Sequence, residues 1–225
     1  QAAEAGHGGA QNNLGVMYRQ GKGIEKNDKE AAKWYEKAAN QGLPDGLSNI
    51  AYLYSIGEGV EKSISKALDY WLLAAEQEHG QAMTNLGVAY RNGVGVDQDF
   101  DASFKWYEKA GVQGHAKSQN IVGWMYKSEK GVSQDYKTAV EWFKKSAEQG
   151  IAPAQFHLGV MYSKGRGVPQ SYEEAVKWWK KGVEQGHAGA QNYLGDAYLL
   201  GKGVKQDDTE ALLAKLFQIF HLYLH

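Results

Sequence analysis

The chain has 225 residues, 43% of them apolar and 23% charged, which is the composition of a folded protein and not of a disordered one. Its 25 Lys and Arg against 26 Asp and Glu leave a net charge of −1, which argues against nucleic acid or an anionic lipid surface as the main partner. There is no cysteine, so disulfides, thiolate metal sites and thiol catalysis are excluded, and there is no apolar run of about 18 residues to span a membrane.

The first predicted element is a helix, because Ala10, Leu14, Met17 and Tyr18 fall at helical spacing. Gly21 supplies a left-handed stop and Gly23 a second unusual backbone angle. A second helix starts after Asn27, an N-cap residue, with Glu30 placed to complete a capping box. Ala31, Trp34, Ala38 and Ala39 mark its buried face, and Gly42 ends it.

Both elements then recur at a step of 36 residues without insertion or deletion. Gly15 maps to Ala51, Gly87, Gly123, Gly159 and Gly195, and Tyr18 to Tyr54, Tyr90, Tyr126, Tyr162 and Tyr198. Trp34 maps to Tyr70, Trp106, Trp142, Trp178 and finally Ala214. The N-cap position reads Asn27, Ser63, Asp99, Asp135, Ser171 and Asp207, and Glu174 and Glu210 repeat the capping box. Glu78 stands where Gly42, Gly114, Gly150 and Gly186 end their helices, so that turn is predicted to be looser or to end differently. Gly15 and Ala31 let the paired helices approach, with Tyr18, Ile24 and Trp34 filling the space around them. A lone hairpin cannot bury such a surface, but stacked neighbours can. The expectation is one all-α solenoid domain, 1–225, of about six units: 7–42, 43–78, 79–114, 115–150, 151–186 and a divergent 187–225.

The run Ala10-Gln11-x-x-Leu14-Gly15-x-Met17-Tyr18-x-x-Gly21-x-Gly23-Ile24, followed by Ala31-x-x-Trp34-Tyr35-x-Lys37-Ala38-Ala39, resembles the Sel-one-like repeat family, a relative of the tetratricopeptide repeats. The resemblance covers residues 7 to about 213. It implies a right-handed superhelix with first helices lining a concave face, and a non-enzymatic adaptor role with a protein or peptide partner. It also favours a bacterial periplasmic or secreted home, with the cytoplasm second. Some bacterial members carry disulfides that this cysteine-free chain lacks. By analogy with tetratricopeptide geometry the groove residues are Asn12, Arg19, Asn49, Tyr52, Asn85, Arg91, Asn120, Trp124, Lys127 and Phe156. The aromatics among them suit apolar anchors, the amides a ligand backbone, and the cations an acidic partner. The competing reading is an ordinary solvated helix face.

Catalytic and cofactor signals are weak, and no cofactor or metal is expected. Gly15 with Gly21-Lys22 imitates a phosphate loop at the wrong spacing. Asp97, Asp99 and Asp101 with Glu108 imitate a calcium loop, but Ala102 stands where Gly is needed and Asp99 is already an N-cap. His7, His79, His115 and His187 share one turn position in successive units, too far apart for one metal. The pair Trp178-Trp179 reads as packing and not as a base-stacking platform. Certain relatives are proposed as cell-wall or β-lactam hydrolases, but Ser55 and Ser163 have no base identified by sequence. At the start, Gln1–Gly6 looks like the tail of a preceding second helix, so an earlier unit or leader is expected. At the end, 211–225 carries a wide apolar face, with Lys215, Gln218, His221 and His225 on one stripe. It is predicted either to pack on the last unit or to pair with another copy.

Overall fold

The structure is a computed structural model, and it describes residues 1–214. Among these residues it is all-helical and forms an array of α-hairpins of the solenoid class: α1 (Gly8–Gln20), α2 (Asp28–Ala39), α3 (Pro44–Ile56), α4 (Ile64–Glu76), α5 (Gly80–Asn92), α6 (Phe100–Val112), α7 (Ala116–Ser128), α8 (Tyr136–Glu148), α9 (Ala152–Lys164), α10 (Tyr172–Glu184) and α11 (Ala188–Leu200). Residues 208–214 are helical as well. Of the apolar terminal stretch, Ala211 and Ala214 are buried and Leu212 and Leu213 exposed, whereas the rest of the expectation for 211–225 lies outside the described residues. The chain divides into two compact units, Gln1–Gln113 and Gly114–His225.

Each hairpin closes by the same chemistry. The second-helix N-caps accept backbone N–H bonds from the first turn: Glu30 to Asn27 at 3.1 Å, Ala102 to Asp99 at 2.9 Å, Glu174 to Ser171 at 3.1 Å. The capping boxes, however, are only half made. The N-cap N–H that Glu30 or Glu174 was expected to take donates instead to the Tyr carbonyl of the preceding helix. It does so in all six hairpins, from Asn27 to Tyr18 at 2.9 Å through Asp207 to Tyr198 at 3.1 Å. Glu30 and Glu174 turn outward to Lys33 and Lys177.

The turns need left-handed backbone. Gly21 has φ 67° and donates to Met17 O, which stops α1. Glu129 holds the same place after α7 at φ 56°. Glu78 does not loosen its turn. It adopts φ 60°, and its N–H meets Ala75 O at 3.0 Å and His79 N–H meets Ala74 O at 3.1 Å, as Gly42 and Leu43 do with Ala39 and Ala38. Residues 1–6 close on Ala2 and Ala3 with that pattern too.

Packing inside four of the hairpins turns on a ring against a glycine. A Cβ at Gly15 would lie 2.6 Å from Tyr35 Cδ1; at Gly87 it would meet Tyr107, at Gly123 Phe143 and at Gly159 Trp179. Tyr35, Tyr107, Phe143 and Trp179 are buried, as is Trp71 at the same register. The Trp34 register, expected on the buried face, is only half-buried. Lys37, Lys109, Lys145 and Lys181 cover the rings of Trp34, Trp106, Trp142 and Trp178 one turn on, at 3.9–4.8 Å. Buried Gln11, Gln119 and Gln155 pair with Gln41, Gln149 and Gln185 at 2.7–3.0 Å and tie the two helices together.

Candidate partner-binding face

In the first unit α1, α3 and α5 carry six of the groove candidates: Asn12, Arg19, Asn49, Tyr52, Asn85 and Arg91. Asn49 Nδ2 donates to Asn12 Oδ1 at 2.8 Å, so that amide pair joins α1 to α3, and Asn12 itself is buried. Arg19 lies 4.4 Å over the Tyr52 ring and 3.9 Å from Glu58 Oε2. The nearby Tyr35 hydroxyl has its pKa raised by burial against the pull of Arg19. Arg19, Tyr35, Asn49 and Glu58 border an open cleft of about 460 Å³ with Val16, Gln20 and Lys26. Tyr52 is 38% exposed and, with Ser55, Asn85 and Val88, borders a smaller cleft of about 220 Å³. Asn85 Oδ1 accepts from Gln81 at 3.1 Å. Arg91 donates to Asn92 Oδ1 at 3.2 Å and stands 6.0 Å from the Tyr107 ring. Tyr107 is fully buried with an unpartnered hydroxyl, and burial pushes its pKa up to about 12.

The second unit arranges the same registers differently. Asn120 Oδ1 is shielded from water and has no donor, and His157 stands at the register that Asn49 holds three repeats earlier. Trp124 packs half-buried against the α8–α9 core. Phe156 is covered on several sides: its ring lies 5.3 Å from His157, 5.0 Å from His187 and 5.3 Å from Tyr193. His157 is further packed on Phe143 at 5.0 Å. Desolvation, then the charges of Lys127 and His187, lower its pKa to about 4, so it is a neutral ring at neutral pH. Lys127 is half-buried; burial, then Lys164 and Arg166, hold its pKa below the usual lysine value. Tyr193, 36% exposed, borders a cavity of about 260 Å³ with Ser163, Lys164, Trp179, Asp196 and Lys202.

The structure thus brings Asn12 to Asn49 and Arg19 to Tyr52, places Asn85 beside Tyr52, and gathers Phe156 into a ring cluster. Sequence reasoning missed Glu58, His157, Arg166 and Tyr193. Glu58 and Arg166 share one 36-residue register, where the charge changes sign, and His157 and Tyr193 share another, where Asn49 and Asn85 stand earlier in the array. The turn histidines are N-caps: Ala82 N–H meets His79 Nδ1, and Ala190 N–H meets His187 Nδ1, each at 3.2 Å. Asp99 is spent on its helix. Among the described residues no group of three or more His, Asp and Glu is placed to hold a metal.

A family model for the Sel1 repeat matches residues 9–43, 44–79, 80–115, 116–151, 152–187 and 188–213. The chain belongs to the Sel1 repeat family. Sel1 repeats are generally protein-interaction modules and typically non-enzymatic. Among solved structures, this Sel1 chain is similar to c5321, a protective antigen present in uropathogenic Escherichia coli strains and displaying an SLR fold. The two are 34% identical with a TM-score of 0.90, over 98% of this chain and 47% of the antigen. This chain therefore spans about half the antigen's length. A Sel1 repeat protein from Oxalobacter formigenes is 30% identical with a TM-score of 0.83, over 94% of this chain and 85% of its own. The immunity protein Pa5087 from Pseudomonas aeruginosa shares the fold at 20% identity and a TM-score of 0.57, over 95% and 81% of the chains. No curated protein matches the chain. No helix among the described residues is long and apolar enough to cross a membrane.

Proposed function

We propose that this Sel1 protein is a non-enzymatic adaptor that receives a peptide segment of a protein partner on the first-helix faces of its units. The observation carrying the reading is the composition of those faces. Tyr52 and Tyr193 border open clefts among amides and cations, and Trp124 stands half-buried on the same register of faces, a mixture that suits recognition better than a core. Tyr52, Trp124 and Phe156 supply apolar anchors. Asn49, Asn85 and Asn120 offer backbone contacts, with Asn12 buttressing Asn49. Arg19, Arg91 and Lys127 favour an acidic segment. The hydrolase alternative gains no support, since Ser55 and Ser163 spend their hydroxyl protons on Tyr52 O at 2.7 Å and Val160 O at 3.0 Å.

The test is to select peptides from a random library against the whole chain and to measure their affinity for Tyr52→Ala, Trp124→Phe and Arg91→Glu variants with unchanged helical content. Loss of affinity in at least one variant supports the reading. Undiminished affinity in all three rejects it.

A further inference from the structure

The overall charge of −1 conceals an asymmetry. Residues 1–113 hold 11 Lys and Arg against 15 Asp and Glu, net −4, and residues 114–225 hold 14 against 11, net +3. One register shows where this matters. In the first unit Arg19, near the end of a first helix, pairs with Glu58, in the turn after the next first helix, at 3.9 Å. Three repeats later those two places hold Lys127 and Arg166. Lys164, the last residue of α9, adds a third cation. Their charges act on one another, since both Lys164 and Arg166 disfavour the charged form of half-buried Lys127. Among the described residues no carboxylate lies within ion-pair distance of any of the three. Arg166 rests on the Tyr136 ring, 5.3 Å away. Gathered cations without a counter-charge are a cost that an arriving anion removes. An apolar slot lies alongside, where Tyr193, Trp179 and Leu200 border the same cavity as Lys164.

We propose that Lys127, Lys164 and Arg166 form an anion site that seats an acidic side chain of the bound peptide, whose carboxylate supplies the counter-charge that Glu58 supplies in the first unit. This rests on the reading that first-helix faces bind peptide, and it assigns that role to the second unit with an acidic-plus-apolar ligand. A peptide fits better than a nucleic acid. Three cations form a point and not the row that successive phosphates would need.

The experiment titrates the full chain with three short synthetic peptides of alternating Leu and Glu, Leu and Gln, or Leu and Lys, and with a single-stranded oligonucleotide, by fluorescence anisotropy. The Leu-Glu peptide is expected to bind best, to weaken as salt is raised, and to lose at least about tenfold in affinity with Arg166→Glu. That variant recreates the ion pair of the first unit, so its melting temperature should not fall, which separates lost binding from unfolding. Equal binding of the Leu-Gln and Leu-Glu peptides, or of Leu-Glu to wild type and Arg166→Glu, overturns the anion site and leaves the peptide-binding reading standing. Binding of none of the peptides overturns the anion site and counts against that reading as well. Tighter binding of the oligonucleotide at the same residues overturns the choice of ligand.

Discussion

Gly23 and Gly59 occupy one register and one backbone conformation, φ 71° and 70°, but not one environment. A Cβ at Gly23 would meet nothing nearer than Met17 Cε at 3.7 Å, whereas at Gly59 it would lie 2.0 Å from Asp28 O and 2.4 Å from Asp28 C. Alanine at either site incurs the left-handed cost of about 1–2 kcal/mol. At Gly59 it also collides with the backbone that starts α2 in the neighbouring repeat. No side chain can swing aside there, so the hairpins must separate. Overpacking of this kind adds about 1–3 kcal/mol. For a chain of this size each kcal/mol is about 2–4 °C, so Gly59→Ala is expected to melt roughly 2–12 °C below Gly23→Ala. Thermal unfolding followed by circular dichroism measures the difference, and hydrogen exchange should show α2 and α3 loosening in Gly59→Ala alone. Equal losses in the two variants would refute the claim that this turn glycine is a stacking contact.

The remaining predictions concern single sites. His157 titrates at about 4 when folded against an ordinary 6.5, so folding favours its neutral form. Its stabilisation is whole above pH 6.5 and fades as the pH falls towards 4. A loss of about 3 kcal/mol over that window should appear in urea midpoints and shrink in His157→Gln; an unchanged pH profile in that variant would exclude His157 as the cause. Glu78→Gly and Glu129→Gly should each stabilise by about 0.5–1 kcal/mol, because relief of left-handed strain exceeds the entropy glycine adds to the unfolded chain. Lower melting temperatures would contradict this. Gln155→Ala removes the acceptor of Gln185 and the donor to Ala147 O, so denaturant melts should show about 1–3 kcal/mol lost; a neutral result would mean that water replaces both bonds.

What was legible in the sequence was whatever one residue type must do at one place. Gly21 and Gly23 could be read as left-handed turn positions, and Asn27, Ser63, Asp99, Asp135, Ser171 and Asp207 as caps, because each answers a local backbone need that no tertiary context alters. The 36-residue period followed from these, and the hairpin array from the period. The near-constant Trp34 register drew attention away from its neighbour. The buried aromatic is Tyr35, Trp71, Tyr107, Phe143 or Trp179, and it varies because each ring is fitted to its own pocket, whereas the constant Trp lies half-open under a lysine.

For the face itself, sequence spacing placed Asn12, Arg19 and Lys127 on first helices but said nothing of their partners. Asn12 is taken by Asn49, Arg19 by Glu58 and Tyr52, and Lys127 faces only other cations. The local fold was therefore settled by backbone conformation, which a residue carries with it along the chain. Which side chains are satisfied and which stay open was decided only when neighbouring hairpins stacked, because hydrogen bonds and charge pairs depend on distances between residues some 37 to 39 positions apart.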